Sequence, residues 1–253
     1  MRQARLYPNA GVHGHLAHEV GRLIVSGTIA QGALLPHEAE LSERYEASRQ
    51  AVREALKVLA AKGLVVSRRR AGTRVLPRSS WNIFDPDVIA WFPPDKIPSD
   101  VLRDLFEMRK AIEPIAAHRA AERGDKAAIS EIGASLEQMI AVEKPSEAFF
   151  EADGAFHDGI LFASGNAMFE QMGQVFGPLM RTSFETHFNA VIETMSGPPA
   201  IRAAVERSMK RHAAIYEAIA RGDAEEARKA SEALLGLIET EIELVIKTRV
   251  APV

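Results

Sequence analysis

From Ser99 to Val250 apolar residues recur every three to four positions. That helical period is broken only at Gly124-Asp125, Lys144-Pro145, Ser164-Gly165-Asn166, Ser196-Gly197-Pro198 and Gly222-Asp223. The stretches between the breaks read as six helices: Asp100 to Arg123, Lys126 to Val142, Pro145 to Ala163, Ala167 to about Val191, Pro199 to Arg221, and Ala224 to Thr248. Helices joined by such short connections pack as antiparallel neighbours, so residues 99–253 are expected to form an antiparallel all-α bundle. A chain of 253 residues that is 47% apolar can bury the core this requires. It has no cysteine, which excludes disulfides and thiolate metal sites. Its longest apolar runs, such as Leu234 to Ile238, fall short of the roughly 20 residues of a membrane span. The first residues, MRQARLYPNAGVHGH, hold no apolar signal-peptide segment, and a cytoplasmic location is expected.

The first 80 residues follow another pattern. Leu16, Val20, Leu23 and Ile24 place a helix over His15 to Ser26, and a second of barely two turns runs from Glu38 to Tyr45. The turn Glu46-Ala47-Ser48 separates it from a third, Arg49 to Lys62, whose apolar stripe is Val52, Ala55, Leu56 and Leu59. Ser48 suits the N-cap of that third helix. Two β-prone runs, Leu64 to Ser67 and Thr73 to Leu76, then flank the basic tip Arg68-Arg69-Arg70-Ala71-Gly72 as a hairpin. The expected architecture is therefore mainly α: a winged helix-turn-helix over 1–80, a linker over 81–98 with two tryptophans and four prolines, and the bundle over 99–253.

Charge divides at the same place. The formal net charge of −3 averages a head with 13 Lys and Arg against 6 Glu and a remainder with 18 against 28, that is +7 and −10. The basic head suits double-stranded DNA. Its third helix presents Arg49, Gln50 and Arg53 opposite the apolar stripe, with Ser48 at its start. Arginine forks onto guanine or anchors phosphate, and glutamine pairs with an adenine edge. Arg69, Arg70 and Gly72 form the tip of the wing. The same side chains could equally dress an exposed helix and a solvated loop.

The order of residues adds a resemblance. LLPHEAELSERYEASRQAVREALKVLAAKGLVVSRRRAGTRV resembles the winged head of the GntR family of bacterial transcription regulators, matching at Leu35, Pro36, Glu38, Leu41, Ser48, Arg49, Val52, Arg53, Glu54, Ala55, Leu56, Gly63, Leu64, Gly72, Thr73 and Val75. It departs at His37-Glu38-Ala39, where the family usually has Ser-Glu-Arg, which puts one DNA contact in question. The helical region resembles the FadR-like effector domain called FCD, through Glu107 to Pro114, Asp153 to His157, Ser164-Gly165-Asn166 and Arg211-His212. The segment Trp81 to Trp91 is similar to the linker of a branch whose members repress sugar-acid operons, galactonate among them.

The resemblance implies a divalent metal, commonly zinc, held by Asp, His and two further His. Here Asp153 and His157, at i and i+4, share a face among core residues, and His212 supplies a third ligand. Leu234 stands where the fourth is expected, leaving an open three-ligand site. The residues alone equally allow a buried hydrogen-bonded Asp153–His157 pair with no metal. Arg109 is either a clamp for an effector carboxylate or the partner of Glu113 at i+4. His187, between Phe184 and Phe188, either lines the same cavity or merely packs.

The function read from these features is an effector-responsive transcription regulator. It is expected to be a homodimer on a palindromic operator, and a repressor of sugar-acid catabolism released by a small carboxylate such as a hexonate. The same three ligands would suit a metal hydrolase. No general base, nucleophile elbow or phosphate-cradling glycine loop accompanies them, and an enzyme leaves the basic head without a purpose. A purely structural DNA-binding protein leaves the buried polar residues without one.

Overall fold

The computed structural model describes residues 7–9, 11–93, 97–142, 146–193 and 197–250; the side chains at 99, 182–187, 189–193, 198 and 239–250 lie outside the description. The chain divides into two compact units, 1–96 and 97–253. Among the described residues they hold ten helices and one two-stranded sheet.

In the first unit α1 (Gly11–Val25) buries Leu16, Ala17, Val20 and Ile24, and α2 (Glu38–Arg44) and α3 (Arg49–Ala61) make the helix-turn-helix. Glu46 bends the turn with φ 49°, and the Ser48 hydroxyl accepts from the Ala51 amide at 3.1 Å, so α3 is capped as its sequence suggests. Val52, Ala55, Leu56 and Leu59 face inward, as the stripe requires. Strands β1 (Val65–Arg68) and β2 (Gly72–Val75) pair antiparallel, with Val65 opposite Val75 and Arg68 opposite Gly72. The segment before α2 extends this wing: the Leu35 amide donates to the Thr73 carbonyl at 2.8 Å and the Val75 amide to the Ala33 carbonyl at 2.9 Å. That extension carries no strand pattern of its own.

The head does not end at Ser80. Trp81 is buried, and a further short helix, α4 (Pro86–Ala90), starts where the Asp85 carboxylate accepts from the Asp87 amide. Lys62 lies 2.8 Å from Asp85 and 2.5 Å from Asp87, both Lys62 and Asp87 being buried, so the segment is pinned to the C-terminal end of α3. Trp91 donates through Nε1 to His18 Nδ1 at 2.9 Å, and a Cβ on Gly21 would stand 2.6 Å from its ring. Residues 81–93, expected as linker, thus pack within the first unit, and the division falls between Lys96 and Ile97.

The second unit contains α5 (Ser99–Arg123), α6 (Lys126–Ala141), α7 (Glu147–Ala163), α8 (Ala167–Glu193), α9 (Pro198–Arg221) and α10 (Ala224–Val250). Gly124 leaves α5 in the left-handed region at φ 59°, and Asp125 then caps α6 by accepting from the Ala127 and Ala128 amides at 3.1 and 3.2 Å. α7 packs against α5, α6 and α8, while α10 lies along α5 and α9. That placement explains why α7 buries Asp153, His157 and Asp158 beside Phe149, Phe156 and Ile160.

Candidate DNA-reading face and metal centre

On the head, Ser48, Arg49, Gln50 and Arg53 are exposed along the start of α3, opposite its buried stripe. Arg53 donates from Nε to Glu38 Oε2 at 2.8 Å, and its side chain stays mostly exposed. At the wing tip Arg69 and Arg70 are exposed, Arg70 with φ 66°, and Gly72 with φ 79° closes the turn. These residues carry cationic and hydrogen-bonding groups on an exposed helix start and an exposed hairpin, the arrangement that meets a groove and its phosphates.

In the second unit three helices bring their polar residues together. From α7 come Asp153 and His157, and from α9 comes His212; their ligand atoms all lie within 4.8 Å of one another. His212 Nε2 stands 3.2 Å from Asp153 Oδ1, and His157 Nε2 stands 3.9 Å from Asp153 Oδ2. His212 donates from Nδ1 to the Ser208 carbonyl at 2.9 Å, so in the neutral ring Nε2 presents a lone pair. His157 Nδ1 lies 2.8 Å from Glu113 Oε2 on α5. Both imidazoles are therefore engaged on one side by protein oxygen and aimed with the other at a single carboxylate. A bare nitrogen facing a carboxylate oxygen is repulsive unless a proton or cation lies between. His212 Nε2 is buried without a hydrogen bond that satisfies it. Ligand atoms around tetrahedral zinc sit roughly 3.4 Å apart. The residues fit a divalent cation with nitrogen and oxygen ligands.

Sequence reasoning put Glu113 only beside Arg109, as one of two alternatives. The ion pair is what the structure shows: Arg109 donates from Nε to Glu113 Oε1 at 2.5 Å, both residues being buried on α5. Glu113 links the guanidinium to His157 and so belongs to the centre; its i+4 spacing from Arg109 was the available signal. Burial pushes the Glu113 carboxyl up, but Arg109 and His157 outweigh it and hold the carboxyl well below the usual range. Asp153 is likewise lowered, burial being overcome by His212, His157 and Arg109. Burial opposes the charge of Arg109, yet Glu113 beside it raises its pKa.

A narrow cavity opens beside the cluster, lined by Arg109, Asp153, His157, Asp158, Met180 and Arg181 among others, and has room for about one water-sized particle. Asp158 and Arg181 were not anticipated. Burial drives the Asp158 carboxyl up to about 6 against the pull of Arg181. The side chain of His187 lies outside the described residues. Leu234, 1% exposed, sits in the core, so no ligand comes from that position.

Comparison with known proteins decides the family. Residues 13–75 match the model of bacterial regulatory proteins of the gntR family, and residues 104–237 match that of the FCD domain. The chain belongs to the GntR family. The galactonate operon transcriptional repressor of Escherichia coli (strain K12) is 32% identical to this GntR-family chain over 212 residues, 84% of this chain and 88% of that protein. The HTH-type transcriptional regulator LutR of Bacillus subtilis (strain 168) is 30% identical over 218 residues, 86% of this chain and 94% of that one. A solved structure of Lar, which controls expression of the Listeria monocytogenes agr system, superposes with a TM-score of 0.62 at 18% identity. That superposition covers 95% of this chain and 99% of Lar and speaks for the fold alone. The GntR-family head makes this a DNA-binding transcription regulator, not an enzyme. No described helix is long and apolar enough to cross a membrane.

Proposed function

We propose that this regulator is a cytoplasmic, homodimeric repressor of a sugar-acid catabolic operon, released from a palindromic operator when a small carboxylate such as a hexonate binds its FCD unit. The supporting observation is the convergence of Asp153, His157 and His212, the first two lining a narrow cavity, in a chain 32% identical to a galactonate operon repressor. These three residues would hold a divalent metal, zinc by the nature of the donors, with the remaining position open to an effector oxygen. When bound, the metal supplies a Lewis-acidic grip on a carboxylate. Glu113 and the Ser208 carbonyl orient the two imidazoles for that role.

Charge supports the pairing. Around the cavity Arg109 and Arg181 face Glu113, Asp153 and Asp158, a balance of −1 with all five ionised and both histidines neutral. A divalent cation turns this to +1, which complements one carboxylate. Arg109, committed to Glu113, contributes to the clamp as a fixed charge. Two heads related by a dyad suit a palindrome, because one short recognition helix reads too few bases for specificity.

A thermal-shift screen of sugar acids with metal-loaded and chelated protein tests the reading. A ligand at 100 times its Kd raises stability by about 2.7 kcal/mol. A hexonate that raises the melting temperature only of metal-loaded protein supports the proposal. No shift with any sugar acid contradicts the effector class, and an equal shift after chelation contradicts the metal's role.

A further inference from the structure

Asp158 follows His157 on α7, so its side chain turns about 100° away from the metal ligands. It reaches α8 at two glycines one turn apart. A Cβ on Gly173 would lie 2.9 Å from Asp158 Oδ1, and one on Gly177 would lie 3.2 Å from Oδ2. The carboxylate is therefore seated in a groove that exists only because α8 carries no side chain there. One turn further on, α8 presents Arg181, whose Cγ would stand 2.7 Å from a Cβ on Gly154, one turn before Asp158 on α7. Asp158 itself is 8% exposed and lines the cavity, yet among the described residues its Oδ1 is buried with no hydrogen-bond partner. Leaving such an acceptor unpaired is costly, and a well-packed apolar residue would avoid the cost.

We propose that Asp158, cradled by Gly173 and Gly177, reads a hydroxyl group of the effector and selects hydroxylated acids over plain carboxylates. An ionised carboxylate only accepts hydrogen bonds, so the cavity wall at Asp158 repels the acid end of a ligand and takes its hydroxyl end. The acid end is left to Asp153, His157 and His212, which would present the cation, and seating the whole ligand requires the cavity, which admits about one water-sized group in this structure, to widen. A ligand with a methylene in place of that hydroxyl leaves Asp158 buried and unpaired, and polar sites of this kind discriminate strongly against the deoxygenated analogue. Arg181, on a flexible stem at the cavity's edge, is placed to close over the ligand. This deepens the sugar-acid reading and rests on it.

Calorimetric titration of the full chain, metal-loaded, with galactonate, gluconate and hexanoate tests the proposal on wild type, Asp158→Leu, Asp158→Asn and Gly177→Ala. The expected wild-type preference for one hexonate over hexanoate is about 100-fold or more. Asp158→Leu should cut hexonate affinity by a similar factor while hexanoate binds as well or better. Gly177→Ala should weaken the hexonate by displacing the carboxylate, and Asp158→Asn, which still accepts from a hydroxyl, should retain part of the preference. Retained operator binding without ligand shows that each variant folds. Hexonate affinity within threefold of wild type in Asp158→Leu would overturn the inference while leaving the sugar-acid reading intact. Binding of no hydroxy acid by wild type would overturn both.

Discussion

Each imidazole at the centre has one nitrogen engaged by protein and the other turned to Asp153, and this division of labour makes the residues separable by experiment. Removing a ligand should empty the site, whereas removing an orienting group should weaken it. His157→Ala or His212→Ala should therefore leave purified protein with less than about 0.1 equivalents of zinc by element analysis, whereas Glu113→Gln should weaken zinc by about 10- to 100-fold. Equal stoichiometry and affinity in all three would mean that the cluster is a buried hydrogen-bonded set. On the head, Arg49→Ala and Arg53→Ala should each abolish operator binding in a gel-shift assay at unchanged circular dichroism. At this scale Asp153 and His157 were legible because i, i+4 spacing puts them on one face whatever the rest of the chain does. Asp158 and Arg181 were not, because their meaning depends on which helix packs against α7 and on glycines in that partner.

Helix ends and turns were readable for the same local reason. Gly124, Asp125, Ser164 and Gly222 stop or cap helices through their own backbone preferences, so the six bundle helices fall within a few residues of expectation. Ser48 belongs to this class, and Ser48→Ala should cost about 1 kcal/mol in chemical denaturation. α4 escaped because the prolines and aspartates of 81–98 read as breakers, although Asp85 and Pro86 are good starting residues for a helix. What fixes that segment is not local: Lys62, on the far side of the wing, sits between Asp85 and Asp87 and lies 5.8 Å from the centre of the Trp91 ring. Lys62→Ala leaves Asp87 buried without this cation and should destabilise the first unit by about 3–5 kcal/mol, seen as a lower melting transition in calorimetry. A loss below about 1 kcal/mol would show that the cluster does not hold α4 in place.

The molecule as a whole carries its charge in two places, and the sum of −3 conceals this. A basic head on an acidic body binds phosphates through the head alone, so operator affinity should fall steeply and linearly on a log-log plot against salt. Assignment of the family rests on the order of residues across nearly the whole chain, something that composition never contains. The proposed regulation couples effector binding to operator binding, and its direct readout is DNA binding itself. Fluorescence anisotropy of a labelled operator with metal-loaded protein should show affinity reduced about 10-fold or more by a saturating hexonate, with the reduction abolished by chelation or by His157→Ala. Operator affinity that is identical with and without every sugar acid tried, in metal-loaded protein, would contradict the account.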